Sequence, residues 1–133
     1  EGFYIGNVFA WSEGNDLSAG RPLETIIPLT NHLSLGYQEA DDRWNVSAGM
    51  HYSGRPRLEA DYPYYIPSTS LTFSLDAYWR INKSLRLNAS INNLTNETYF
   101  NFQDVRGRDR SREDILRFSQ PERNFQIGAK FSF

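Results

Sequence analysis

Strict alternation of apolar and polar residues constrains this chain more than any other feature. Phe125, Ile127, Ala129, Phe131 and Phe133 alternate with Asn124, Gln126, Gly128, Lys130 and Ser132. Successive side chains of a strand point to opposite faces, so the pattern predicts a ribbon with one apolar face and one wet face. The pattern recurs at Leu85, Leu87, Ala89 and Ile91, and at Leu71, Phe73, Leu75, Ala77 and Trp79. These two runs read as a hairpin with a short link at 81–84, and setting Trp79 opposite Leu85 keeps one face wholly apolar. A second hairpin takes Leu33, Leu35 and Tyr37 down to a polar turn at 38–43 and returns through Trp44, Val46, Ala48, Met50 and Tyr52, with Tyr37 opposite Trp44. Phe3, Ile5, Phe9 and Trp11 begin a noisier strand that Asn7 interrupts.

The expected fold is all-β: an antiparallel up-and-down meander of about six strands. The strands are expected near 2–11, 31–38, 44–53, 70–80, 84–93 and 124–133, and the long loops at 12–30, 54–69 and 94–123. Short turns would lie at one end of the meander and long loops at the other. The wet face carries small or uncharged residues such as Ser47, Gly49, Asn88 and Ser90. The apolar face places Trp44, Tyr52, Trp79, Phe131 and Phe133 toward strand ends. A hydrated interior and aromatic girdles at a lipid boundary explain both features. A soluble β-sandwich is the competing reading, and it requires a second layer packed dry against the apolar face. The smallest barrels have about 8 strands, and an open edge in lipid leaves backbone groups unpaired. A membrane reading therefore makes this chain one part of a larger barrel wall.

Composition removes other classes. None of the 133 residues is cysteine, which excludes disulfide frameworks and thiolate chemistry. No apolar run approaches the roughly 20 residues of a membrane helix. With 14 basic against 16 acidic residues there is no general electrostatic grip on nucleic acid. No spacing singles out a nucleophile with its base, or a metal cluster, so an enzyme is not expected. Asn-x-Ser/Thr triplets occur at Asn45, Asn82, Asn88, Asn93 and Asn96; they are not expected to be glycosylation sites, since Asn45 and Asn88 fall on the polar face of predicted strands, where a hydrated interior explains them.

Near the carboxyl end, Asn92-Asn93-Leu94-Thr95-Asn96-Glu97-Thr98-Tyr99 closes one strand, and the last strand, with Phe125, Ile127 and Phe131, ends in Phe133. In both features the chain resembles TonB-dependent outer-membrane receptors. In that family an asparagine-leucine pair followed by a polar stretch and a tyrosine marks the exit from the penultimate strand, and a terminal phenylalanine marks the last. The resemblance implies a barrel of about 22 strands of which this is the carboxyl-terminal portion, with plug domain and TonB box outside these residues. Glu1 to Trp11 already read as the middle of a patterned segment, so any export signal would have to lie upstream. Asp104-Val105-Arg106-Gly107 and Arg117-Phe118-Ser119-Gln120-Pro121-Glu122-Arg123-Asn124-Phe125 look most like receptors for haem, haemoglobin and related iron carriers. Glu122 departs from the glycine common after that proline. The implied function is active import of haem or iron from a carrier across the bacterial outer membrane. Its implied partners are lipid, the rest of the barrel and plug, and TonB. Haem is the implied cargo, and no cofactor resides in this segment. A siderophore or other nutrient receptor, a non-transporting barrel and a soluble β binding domain stay open as alternatives.

Three groups are candidate ligand contacts. His32 and His51 fall on the polar face, diagonal to each other across one hairpin, and imidazole can ligate haem iron; ordinary lumen-facing polar residues is the plain alternative. Arg106 and Arg110 sit in a dense mixed-charge loop, where arginine forks suit propionate or phosphate and a solvated, salt-bridged loop is the alternative. Tyr64 and Tyr65 belong to a proline-stiffened aromatic loop suited either to ligand contact or to packing on its neighbours.

Overall fold

A computed structural model describes residues 1–132. Phe133 lies outside the described residues. The elements are β1 Gly2–Ala10, β2 Asn15–Asp16, β3 Arg21–Pro22, β4 Thr30–Gln38, β5 Trp44–Ser53, β6 Ser70–Arg80, β7 Leu85–Asn92, α1 Phe102–Val105, α2 Arg112–Leu116 and β8 Asn124–Phe131. Six strands form one antiparallel sheet in the order β1-β4-β5-β6-β7-β8. β2 and β3 form a separate small ribbon inside the first long connection. The expected meander is present.

Parity is carried intact across every strand. Ile5, Leu35, Ala48, Leu75, Ile91 and Phe125 share one row, and the flanking rows repeat the same apolar side. Among the described residues no second layer covers that face: Ile127 is 88% exposed, Phe125 71% and Trp79 60%, while Phe73 is only half-buried. The sandwich reading fails here, because its core would lie on this surface. The buried apolar residues, Tyr62, Phe102, Val105 and Ile115, all belong to the long connections. Asn7, the break in the β1 pattern, has a local answer: its side-chain amide and that of Asn31 donate to each other at 3.2 Å on the apolar side.

The register differs from the sequence expectation by two residues in both hairpins. Tyr37 pairs with Val46, not Trp44, and Trp79 pairs with Leu87, not Leu85. The turns explain the shift. In the first, the Glu39 N–H donates to the Trp44 carbonyl at 3.1 Å, the Glu39 carboxylate accepts from the Arg43 and Asp41 amides at 3.0 and 3.2 Å, and Asp42 adopts a left-handed φ of 54°. In the second, Ile81 still donates to the Leu85 carbonyl at 3.0 Å, and Asn82 Oδ1 accepts the Ser84 and Leu85 amides at 2.9 Å each. These Asx and carboxylate caps satisfy turn amides that a tighter turn would leave free. A shift of two keeps each side chain on its face, so the apolar side survives.

Candidate functional site

The polar face divides into two regions. At the short-turn end a network converges on Asn45 and Asp42. Asn45 Nδ2 donates to the Tyr37 carbonyl at 3.0 Å and to Gln38 Oε1 at 3.2 Å, and it exchanges hydrogen bonds with the Tyr4 hydroxyl. Tyr4 reaches Asn45 across Gly36, where a Cβ would clash with the Cζ and hydroxyl of the ring. Asp42 accepts from the Tyr78 hydroxyl and from the Arg80 guanidinium. The Tyr78 hydrogen bond first, and Arg80 next, hold the Asp42 carboxyl below the ordinary value of 3.8. Arg80 and Arg86 are directly opposed. Their repulsion is relieved by Asp42 on one and by the Tyr78 ring, 3.6 Å beneath the other guanidinium, on the second.

At the long-loop end the two histidines meet. His32 and His51 are direct cross-strand partners, with ring centroids 6.1 Å apart and planes inclined at 46°. The expected diagonal is thus corrected to a direct pair, by the same two-residue shift that the Glu39 turn imposes. Both rings line a cavity of about 460 Å³ whose other walls include Asn92, Asn124, Gln126 and Tyr99. Asn92 Nδ2 donates to Asn124 Oδ1 at 3.1 Å across β7 and β8. Burial raises the Tyr99 hydroxyl above its ordinary 10.0, which keeps it a protonated donor. Sequence reasoning missed these companions. Their signal was parity: Asn92, Asn124 and Gln126 lie on the wet face at the level of the histidines.

The Asn92–Tyr99 stretch has a structural duty. Asn93, buried and at a left-handed φ of 52°, donates from Nδ2 to the carbonyls of Glu97 at 2.8 Å and Pro121 at 3.2 Å, and its Oδ1 accepts the Glu97 amide at 2.9 Å. Asn96, also left-handed at 55°, accepts the Arg123 amide at 2.8 Å. The two asparagines clamp the exit of β7 to the entry of β8.

The loops are tied to one another. Arg110 donates from Nε to the Tyr64 carbonyl at 3.2 Å and through its second nitrogen to the Tyr62 carbonyl. The Tyr65 amide donates to the Arg108 carbonyl at 3.0 Å, and the Tyr65 ring meets Phe100 edge-on at 5.5 Å. Arg57–Glu13 at 2.9 Å and Arg21–Glu59 at 3.9 Å join the first and second long loops. Arg110 is therefore engaged in bridging loops, Tyr65 is packed between them, and Tyr64 and Arg106 are exposed at the surface. None of these four lines the histidine cavity. Among the described residues no group of three or more His, Cys, Asp or Glu side chains is gathered for a metal.

No protein-family profile matches the chain. Hemoglobin-haptoglobin utilization protein B of Neisseria meningitidis is 29% identical over 83% of this chain and 16% of its own length. Hemoglobin and hemoglobin-haptoglobin-binding protein A of Haemophilus influenzae is 23% identical over 99% of the chain and 14% of its own length. Among solved structures, Copper transporter OprC superposes with a TM-score of 0.84 at 20% identity, covering 99% of this chain and 21% of that one. In sequence and in fold the chain resembles TonB-dependent outer-membrane receptors. The chain spans about a sixth of the length of these curated relatives. The unclosed sheet, with β1 and β8 at its edges, matches one arc of such a receptor wall in fold. The similar proteins are named for utilization, binding and transport, and not for an enzymatic reaction.

Proposed function

We propose that the whole protein is a receptor of the bacterial outer membrane that imports haem, or iron from a haemoprotein carrier, with energy delivered by TonB through parts outside this chain. The observation that carries this reading is the similarity, over more than four-fifths of the chain, to proteins named for hemoglobin-haptoglobin utilization. This segment supplies wall and loops: six strands against lipid on one side and the pore on the other, and tied loops able to present a firm surface to a large carrier. The loops favour a protein carrier over a small free ligand, because a pre-organised surface loses little entropy when a partner docks. Lipid, the remaining barrel, plug and TonB are the partners this function requires.

The test is growth of a strain lacking the full-length receptor, complemented with the gene, on hemoglobin-haptoglobin as sole iron source. Growth restored by the intact gene and lost on deletion of residues 94–123 supports the reading. Growth indifferent to the gene on hemoglobin-haptoglobin, but dependent on it for a siderophore, overturns it.

A further inference from the structure

We propose that His32 and His51 form a binding site for a divalent transition-metal ion on the lumen wall, with copper(II) bound most tightly. The proposal stands on the facing of two imidazoles and is independent of the haem-import reading.

A metal–nitrogen bond is about 2.0–2.1 Å and the ring centroid lies about 1.1 Å behind the nitrogen, so two imidazoles sharing one ion at 90–180° have centroids roughly 4.5–6.4 Å apart. The observed 6.1 Å falls within that range without any movement of the backbone. The sheet fixes the two Cα positions through consecutive register pairs on either side, Leu33 with Met50 and Asn31 with Tyr52. The His32 ring lies alongside Gly49, at ordinary van der Waals distance from where a Cβ would stand. Two imidazoles facing each other repel when both are protonated. An ion binding the neutral pair uses both as donors.

The surroundings complete a partly open coordination sphere. The amides around the pair are engaged with one another, Asn92 with Asn124 at 3.1 Å and Gln126 with Asn124 at 3.4 Å. The imidazoles are the strongest ligands left facing the cavity of about 460 Å³. At roughly 30 Å³ per water, that space holds the solvent ligands of a two-histidine site. A smaller adjoining cavity of about 160 Å³ is lined by His51 and by Asp104. For a nitrogen and water donor set, affinity rises from nickel to copper and falls again to zinc.

The experiment uses the purified full-length receptor in detergent, titrated with copper(II) chloride and followed by calorimetry and electron paramagnetic resonance. Wild type is expected to bind one equivalent more than a protein carrying both His32→Asn and His51→Asn. That equivalent should show hyperfine splitting from two nitrogens, and each single variant should weaken it tenfold or more. Equal stoichiometry and an identical spectrum in wild type and double variant overturn the proposal, whatever haem-dependent growth does. Should the variants not fold, wild type alone decides: copper must protect His32 and His51 from diethyl pyrocarbonate, and modification at an unchanged rate overturns the proposal equally.

Discussion

Leu75→Arg tests the claim that the apolar side faces lipid. Leu75 is the midpoint of the apolar run on β6, flanked by Leu71 toward the loops and Trp79 toward the turn. Four residues either way, at about 3.4 Å each and tilted about 40°, put it roughly 10 Å from Leu71 and from Trp79, near the middle of an apolar band about 25 Å tall. It therefore sits near the midplane, where a lipid-facing arginine costs about 2–4 kcal/mol, against about 0–1 near an interface. Leu71→Arg supplies the interfacial control. Ser74→Arg, one residue away on the lumen side, supplies the facial control, with a change within about 0.5 kcal/mol. At about 1.36 kcal/mol per tenfold, Leu75→Arg should shift the folding equilibrium roughly 30- to 900-fold. Equilibrium unfolding of the full receptor in lipid vesicles, by tryptophan fluorescence in guanidinium, measures the three side by side. A soluble or lumen-facing surface predicts that Leu75→Arg and Ser74→Arg behave alike. That equality, or a larger loss at Leu71 than at Leu75, would refute the lipid assignment.

Other consequences follow from particular contacts. Gly36→Ala should cost about 1–3 kcal/mol by driving the Tyr4 ring off the sheet, and Tyr4→Leu in the same protein should return most of the loss, read in the same unfolding assay. The depressed Asp42 carboxyl contributes stability above its ordinary 3.8 that disappears as pH falls through its lower folded value. Wild type should therefore lose stability relative to Asp42→Asn on acidification below about pH 4, and parallel acid titrations of the two proteins check it. Val105→Ala, at a side chain fully buried within the loops, removes two methyl groups at about 0.8 kcal/mol each. Its effect should appear as faster proteolytic nicking between residues 94 and 123, with global unfolding unchanged, because the loops form a core apart from the sheet.

Parity and register are different kinds of information, and the chain carried one of them far more openly than the other. Alternation at Leu71–Trp79 or Phe125–Phe131 reports which face a residue occupies, and every such assignment on the sheet is observed. Register depends on how a turn closes. The turns here close through Glu39, Asp42 and Asn82, whose caps shift the pairing by two residues, a step that apolar patterning does not sense because slipping by two exchanges one apolar neighbour for another. The slip matters only where chemistry is attached. It turns Tyr37 and Trp44 from opposed partners into a stacked diagonal pair at 5.4 Å, and His32 and His51 from a diagonal into facing rings. The loop contacts were less legible still. For Arg110 and Tyr65 local charge and aromatic content left ligand contact and loop packing both open, because their partners, Tyr62 and Tyr64 for the one and Arg108 and Phe100 for the other, come from a loop that only the folded meander brings alongside. A sheet built on parity can change its turns without bringing a polar residue onto its apolar face. Slips of two residues can therefore reposition polar-face pairs such as His32 and His51 while the apolar face stays intact.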